Sequence, residues 1–252
     1  MNDLNKKLLE IQQEWKEKLY NGVLVGNEGQ ISCPFSCGVS DEFLTSDKKV
    51  MIIGQNAVGL GCQYNKYDLP QMQEWSIGYL EKQLNISNNE YKRNSSPFWR
   101  FLGALKAAGY FPCWNNLEKV VRYKVGEIKE YHVENNEREI LNQRFVDGKT
   151  LLQKEIEIVN PDMVVFVVGP RNPYYSAIKQ IFDLSDEMLE NYYPKYDTDR
   201  LCGEITNIVK LGIPTFWTYH PQFLSHHKCM DVVIDKIIKQ ISTNKQRPLF
   251  GT

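Results

Sequence analysis

The sequence has no long apolar run and little charge imbalance, and each absence excludes a class of protein. There is no segment of about 18 consecutive apolar residues and no N-terminal secretory signal, so we expect a soluble, cytoplasmic protein that does not contact a membrane. The formal net charge of -1 gives no general attraction for a polyanion such as nucleic acid. Any surface that binds nucleic acid is therefore expected to be local.

Cysteine is also sparse, with six residues scattered over 252 positions. This usage favours reduced thiols over a disulfide framework. Cys33 and Cys37 could share a metal ion, but zinc or an iron–sulfur cluster needs two more ligands, and the distant Cys62 and Cys113 are only formal candidates. We therefore predict no metal and no other cofactor, and we interpret these thiols as buried or loop residues.

The near-neutral total conceals an uneven distribution of charge along the chain. Residues 91–124 contain seven Lys or Arg residues and the single acid Glu118, whereas six acids fall within residues 183–199. A basic stretch of this kind is either a binding face for a polyanion or a solvated surface without a partner. The composition leaves both interpretations open.

Several apolar runs have the character of buried strands. They are continuous rather than alternating, which is typical of parallel strands covered on both faces. The runs cover residues 49–54, 163–169 and 213–220, with a fourth, less regular strand at 114–121. Helical patterns lie at residues 71–84, 97–108, 150–159, 174–182 and about 228–241. This alternation predicts an α/β fold, a three-layer α/β/α sandwich with a central four-stranded parallel sheet.

No linker divides the chain, so we interpret residues 1–252 as one domain. Residues 1–47 form an N-terminal amphipathic helix, with Asp3 as a possible cap, and a loop. Residues 122–149 and 183–203 are polar and weakly periodic, and we treat them as insertions.

Polar segments follow several of the predicted strands. The first strand continues into Gly54-Gln55-Asn56, and the last ends at His220, while Asn115 and Asn116 lie on the less regular strand. In an open parallel sheet, ligands bind beyond the carboxyl ends of the strands. We therefore expect these segments to meet at one cleft.

Four segments resemble, in the same order, the motifs of the uracil-DNA glycosylase superfamily. Residues 54–59 are similar to the motif written G-Q-D-P-Y-H in one branch and G-x-N-P-G in others, and residues 220–225 to the motif H-P-S-P-L-S. Residues 95–99 resemble the Pro/Ser loop that pinches the DNA backbone, and residues 114–117 the segment that carries the base-reading Asn. The order and spacing agree over roughly residues 48–240.

The resemblance implies a monofunctional DNA glycosylase, which hydrolyses the N-glycosidic bond of uracil or a related damaged base flipped out of DNA. It implies that His220 donates a hydrogen bond to the anion that develops on uracil O2, and that Gly54 and Gln55 supply backbone N–H groups to the base. Asn116 carries over as the residue that reads the uracil edge, since an amide offers both a donor and an acceptor. The adjacent Asn115 remains an alternative.

The first motif departs from that of the most powerful branch. Asn56 stands where that branch has an Asp, and an amide can orient a water molecule but cannot take its proton. Ala57 replaces the usual Pro, and Val58 stands where the most selective branch has a Tyr that excludes thymine. By this resemblance, Asn56 and His220 are the catalytic residues, with a lower expected rate.

The remaining roles implied by the resemblance concern base stacking and DNA binding. Tyr64 is expected to stack on the flipped base, with Tyr67 as an alternative. Leu224 corresponds to the wedge that fills the gap left by that base, which requires an exposed apolar side chain in a polar loop after His220. The side chains expected to contact the DNA backbone are Ser96, Pro97 and Ser225.

Three hypotheses of function follow. The first is base excision from DNA, as the ordered motifs imply. The second is a catalytically silent module of the same fold that binds a nucleobase or nucleic acid, which the departures at Asn56, Ala57 and Val58 favour. The third is an enzyme that acts on a free nucleoside or nucleotide. The oligomeric state is left open.

Overall fold

The computed structural model of the chain describes residues 1–25, 30–56, 66–85, 96–123, 130–196 and 200–244, with the backbone alone at residues 130 and 241–244. Within these residues the chain forms a central β-sheet with flanking helices. The predicted α/β fold is thus confirmed, and the arrangement is compatible with a three-layer sandwich.

The central sheet has five strands in the order β2-β1-β5-β7-β6. The four strands β2, β1, β5 and β7 are parallel to one another, and β6 is antiparallel to β7. The strands are β1 (Lys49–Asn56), β2 (Phe111–Glu118), β5 (Met163–Phe166), β6 (Cys202–Glu204) and β7 (Thr215–Thr218). A separate hairpin consists of β3 (Arg122–Tyr123) and β4 (Glu130–Tyr131).

The prediction of a purely parallel, four-stranded sheet is therefore wrong at one edge. The additional strand β6 lies at the end of the 183–203 segment, which we expected to be an insertion. Its three residues, Cys-Gly-Glu, form no apolar run, and an edge strand this short depends on its neighbour rather than on its own pattern. Hydrogen bonding to β7 therefore defines β6.

Helices account for most of the remaining described residues. They are α1 (Asp3–Trp15), α2 (Asn21–Leu24), α3 (Asp41–Thr45), α4 (Leu69–Asn85), α5 (Pro97–Ala107), α6 (Asn135–Leu141), α7 (Leu151–Val159), α8 (Tyr174–Phe182), α9 (Asp186–Glu190), α10 (Thr206–Val209), α11 (Pro221–His226) and α12 (Met230–Asn244). A π-helical turn, Lys16–Tyr20, joins α1 to α2.

The long helices agree with the helical patterns of the sequence, whereas some local features differ. Asn2 rather than Asp3 caps α1, because the Asn2 side chain accepts a hydrogen bond from the backbone N–H of Asn5. The segments interpreted as insertions contain the β3–β4 hairpin, α6 and α9. These elements are too short and too polar to give a clear period.

The core follows from the continuous apolar strands. Residues 50–53 and 163–168 are almost completely buried, as expected for strands with helices on both faces. Helices α5 and α11 contact each other, and α1 packs on α7. A smaller apolar cluster joins Trp15 and Tyr20 to residues of the 122–149 segment. The N-terminal residues are therefore part of the packed fold.

The cysteines differ from the expectation of reduced thiols in one respect. Cys33 is in a disulfide bond, so the expectation is wrong for this residue. Cys37, Cys113, Cys202 and Cys229 are free, and burial raises the pKa of the Cys37, Cys113 and Cys202 thiols. Cys62 lies outside the described residues.

No helix in the described part of the chain is long and apolar enough to cross a membrane.

Candidate active site

The polar strand ends meet at one edge of the sheet. In the register of β1 and β2, Gly54 lies beside Asn116 and Asn56 lies beside Glu118. The Gln55 amide donates a hydrogen bond of 2.9 Å to the carbonyl oxygen of Val168, just beyond the end of β5. Three parallel strands thus end together, where ligands bind in folds of this class.

Asn116 is the most informative side chain at this edge. It is 1% exposed, and its Oδ1 accepts a 3.1 Å hydrogen bond from the indole Nε1 of Trp114. Its Nδ2 has no hydrogen-bond partner among the described residues. Leaving a buried donor unpaired costs about 1–3 kcal/mol, so such a group is typical of a site that pairs with a ligand.

Gly54 lets the strand approach this amide. A methyl group at Gly54 would lie 2.6 Å from Asn116 Oδ1 and 3.3 Å from the ring of Phe98. The first distance is far below van der Waals contact, so no larger residue fits without displacing the Asn116 amide. The absence of a Cβ at Gly54 therefore leaves room for the Asn116 amide in its observed position.

The structure distinguishes between the two neighbouring asparagines. Adjacent residues of a strand point to opposite faces, and the Asn115 amide donates to Glu155 Oε2 at 2.9 Å. Its Oδ1 accepts from the ammonium of Lys119, which also pairs with Glu155 at 2.6 Å. Gln12 of α1 joins the same buried network. The side chain of Asn115 thus helps to link α1 and α7 to the sheet, whereas Asn116 Nδ2 has no partner among the described residues.

His220 lies at the N-terminus of α11 and caps it. Its Nδ1 accepts a 3.2 Å hydrogen bond from the Gln222 backbone N–H, so the proton of the neutral ring is on Nε2. Burial lowers the pKa of His220 from 6.5 to about 4, which keeps the imidazole neutral at physiological pH. The free Nε2–H is therefore a neutral hydrogen-bond donor.

Phe98, an aromatic residue to which the motifs gave no role, lies near Gly54, Trp114 and His220. The Phe98 ring contacts the Gly54 position, lies 6.1 Å from the Trp114 ring and is nearly parallel to the His220 ring at 6.4 Å. Phe98 follows the Ser-Pro pair, so its place in that motif was the available signal. Tyr64 lies outside the described residues, and Tyr67 is 39% exposed.

A cleft of about 390 Å³ opens beside His220, within the size range of small-molecule sites. It is lined by Gln55, His220, Gln222, Phe223 and His226. Side chains from the first and last predicted motifs therefore border the same space.

Two of the helices, α5 and α11, carry the residues expected to contact the DNA backbone, and these helices meet through one hydrogen bond. Ser96 and Pro97 begin α5, and Arg100 in the next turn donates a 2.7 Å hydrogen bond to the Ser225 hydroxyl on α11. The Arg100 Nε has no partner among the described residues. Two motifs distant in the chain thus share one small surface that carries a cation.

Most described cations of residues 91–124 are paired with carboxylates. Lys119 is buried against Glu155, Lys106 pairs with Glu42, and Arg122 pairs with two glutamates of the α6 region. Their positive charge is compensated locally by carboxylates. Residues 91–95 and Lys124 lie outside the described residues.

The expected exposure of Leu224 is also wrong. Its side chain is 0% exposed and belongs to the main core. The segment after His220 is a helix rather than a polar loop, and this helix directs Leu224 inward. A side chain in this position cannot insert into a duplex without leaving the core.

Asn56 contacts a pair of residues for which the motifs gave no role. Its Nδ2 lies 3.4 Å from Nδ1 of His132, and that Nδ1 lies 3.2 Å from Glu118 Oε2. Glu118 was noticed only as the single acid of a basic stretch, and His132 falls in a segment interpreted as an insertion. No sequence signal connected the two residues, which are fourteen positions apart.

Within the described residues, no three His, Cys, Asp or Glu side chains are grouped to hold a metal ion. Cys33 is already bonded in a disulfide, so it is not a free thiolate ligand. In comparisons with known proteins, no family model and no curated sequence matches this chain.

Proposed function

We propose that this protein is a monofunctional DNA glycosylase that hydrolyses the N-glycosidic bond of uracil or a related damaged base flipped out of DNA. The observation that carries the proposal is the unpaired, buried Nδ2 of Asn116, at the sheet edge that also holds the neutral Nε2–H donor of His220. A donor fixed in this way suits an exocyclic carbonyl oxygen such as uracil O4. The Phe98 ring offers a face for the pyrimidine.

The reaction places two demands on the site. The departing base carries negative charge, which a preorganised neutral donor such as His220 Nε2–H stabilises. The sugar becomes cation-like and must receive a water molecule, which the Asn56 amide can orient. The small surface of Ser96, Arg100 and Ser225 suits contacts to phosphates that fix the register of the DNA without reading its sequence.

The test is release of uracil from oligonucleotides that contain one uracil, in single- and double-stranded form, followed by alkaline cleavage at abasic sites. We expect cleavage at the uracil position and none in a matched cytosine oligonucleotide, because the Asn116 Nδ2 donor is mismatched to the amino group of cytosine. His220→Ala should slow base release by about 100- to 1000-fold, because it removes a preorganised donor to the anion.

Other outcomes would favour the alternatives. Salt-dependent DNA binding with intact strands at high protein concentration would contradict catalysis and support a silent binding module, for which the Asn at position 56 is the favouring observation. Hydrolysis of free deoxyuridine with no release from DNA would instead indicate an enzyme of nucleosides.

A further inference from the structure

A chain of polar contacts extends from the protein interior to the amide of Asn56. The guanidinium Nε of Arg138 donates a 2.7 Å hydrogen bond to Glu118 Oε1, and the other carboxylate oxygen lies 3.2 Å from His132 Nδ1. His132 Nδ1 in turn lies 3.4 Å from Asn56 Nδ2. Arg138 and Glu118 are buried, whereas the side chain of His132 is 45% exposed. The chain thus ends at the carboxyl edge of β1, beside the proposed site.

The surroundings of Glu118 determine where His132 carries its proton. Arg138 is held by three acceptors, namely Glu118, Asn135 and the carbonyl oxygen of Val133, so its charge is fixed beside the carboxylate. An ionised carboxylate only accepts hydrogen bonds. Nδ1 of His132 therefore bears the proton that it donates to Glu118, and the lone pair of the neutral ring is on Nε2. Asn56 Nδ2 is also a donor, so its 3.4 Å approach to this protonated Nδ1 is a close contact and not a hydrogen bond.

We propose that the Glu118–His132 pair is the general base of the reaction, a role that Asn56 cannot fill. This inference rests on the proposed function. A carboxylate that accepts from Nδ1–H orients the imidazole and stabilises the imidazolium that forms when the other nitrogen takes a proton. His132 is then a catalytic residue, and Glu118 and Arg138 are positioning residues that act through it.

The proposed reaction breaks one bond at C1′ and forms another. The C1′–N bond breaks and its electron pair leaves with the base, whose oxygen is hydrogen-bonded by His220 Nε2–H. The oxygen of a water molecule oriented by Asn56 bonds to C1′, and His132 Nε2 takes one of its protons. The half-exposed imidazolium returns this proton to solvent, and the base anion is protonated on release.

The groups around His132 are compatible with this role. Glu118 and Arg138 face its Nδ1 side, and the Tyr174 ring packs edge-on against it at 5.3 Å. Burial and the charge of Glu118 raise the pKa of Tyr174, so the phenol stays neutral and does not compete for the proton. Among the described neighbours, the carboxylate and imidazole therefore form the proton-accepting pair.

The experiment measures single-turnover rates of uracil release between pH 4.5 and 9 for the wild-type protein, His132→Gln and Glu118→Gln. We expect His132→Gln to lower the plateau rate about 100-fold, the usual range for a general base, with unchanged affinity for uracil-containing DNA. Protonation of the His132 imidazole would remove the base, so an acid limb of the wild-type pH profile should vanish in His132→Gln. His220 does not produce the limb, because its pKa is about 4.

Three controls distinguish a general base from a residue that only supports the structure. Glu157→Gln removes an exposed carboxylate that pairs with Lys149 and should leave the rate and pH profile unchanged. Added imidazole should restore part of the rate of His132→Ala but not of His220→Ala. The double variant of Glu118 and His132 should be no slower than His132→Gln alone, since Glu118 acts through the ring.

Different results would reject the general base alone or the proposed function as a whole. A wild-type rate and profile in His132→Gln, or a slow variant that keeps the acid limb and gains nothing from imidazole, would overturn this inference while base excision stands. Absence of uracil release by the wild-type protein would reject the proposed function and this inference together.

Discussion

At the scale of single residues, the indole of Trp114 determines which way the Asn116 amide faces. Asn116 Oδ1 accepts from Trp114 Nε1, so rotating the amide would bring Asn116 Nδ2 against Trp114 Nε1, and both nitrogens are donors. The fixed Nδ2 suits the O4 carbonyl of uracil and is mismatched to the exocyclic amino group of cytosine. Under the proposed function, we therefore expect this contact to favour uracil over cytosine.

Trp114→Phe should weaken this discrimination while the ring remains. Loss of a hydrogen bond of about 1 kcal/mol should raise the dissociation constant of free uracil about fivefold and lower the ratio of cytosine to uracil dissociation constants, measured by calorimetry. Trp99 belongs to the same aromatic cluster, 5.0 Å from Trp114, so Trp99→Phe is the matched control and should keep the ratio. An unchanged ratio in Trp114→Phe would contradict this role.

The lowered pKa of His220 predicts a dependence of stability on pH. In the unfolded chain the ring takes up a proton below about pH 6.5, whereas the folded protein takes it up only near pH 4. The unfolded state thus binds more protons in this window, so the free energy of unfolding should fall as the pH is lowered from 6.5 to 4. Above pH 6.5 this contribution is complete.

Denaturant unfolding at pH 7.5 and 4.5 tests this dependence. His220→Asn keeps a helix-capping acceptor but does not titrate, so the wild-type protein should lose more stability on acidification, by an amount on the order of 1–3 kcal/mol. Equal losses in the two proteins would show that burial of His220 does not shift its titration.

The sequence indicated part of the site, for physical reasons that differ among residues. Gly54, Gln55, Asn116 and His220 lie at or beyond strand ends, and strand ends are predictable from apolar runs. Phe98 had a signal in its place after the Ser-Pro pair, although its contact with His220 joins elements distant in the chain. His132 had none, because its contact with Asn56 joins residues 76 positions apart. The choice of Asn116 over Asn115 needed the buried partners of Asn115.

At the scale of elements, α11 shows how a local interpretation of the sequence was wrong. Proline at the first position of a helix, after a side chain that can cap it, is a recognised start signal. His220 and Pro221 form such a start, but the segment was interpreted as a loop by its resemblance to a motif. The helix buries Leu224, whereas a loop would have exposed it.

The variant Leu224→Ala tests whether Leu224 stabilises the core or inserts into DNA as a wedge. Removing a buried leucine side chain should lower the free energy of unfolding by about 2–5 kcal/mol, measured by denaturant titration. Gln222→Ala, on the exposed side of the same helix, should change it by about 0.5 kcal/mol or less. A neutral Leu224→Ala that loses affinity for DNA would instead support the wedge.

The central sheet also shows which elements side-chain patterns predict and which they miss. Strands β1, β5 and β7 were predictable because each is a buried apolar run, although their bounds moved by a few residues. Strand β2 contains Pro112, Asn115 and Asn116 and was predictable only as a less regular strand, with bounds shifted by three residues. Strand β6 was not, since its pairing with β7 rather than its composition defines it. Patterns of side chains thus indicate buried elements better than edge elements.

At the scale of the whole molecule, charge limits how the protein can bind DNA. The net charge is -1, and Lys106, Lys119 and Arg122 are neutralised by carboxylates. Any DNA contact is therefore expected to depend on a few residues, such as the Arg100–Ser225 pair, rather than on a broad field. Under the proposed function, we expect recognition of the flipped base to contribute much of the specificity.

The most direct test of the account is a crystal structure of the protein with uracil. We predict one uracil molecule at the carboxyl edge of the sheet, with a carbonyl oxygen accepting from Asn116 Nδ2, another accepting from His220 Nε2, and the ring against Phe98. Uracil bound elsewhere, or no uracil at this edge at saturating concentration, would contradict the central claim that these residues form a single base-binding site.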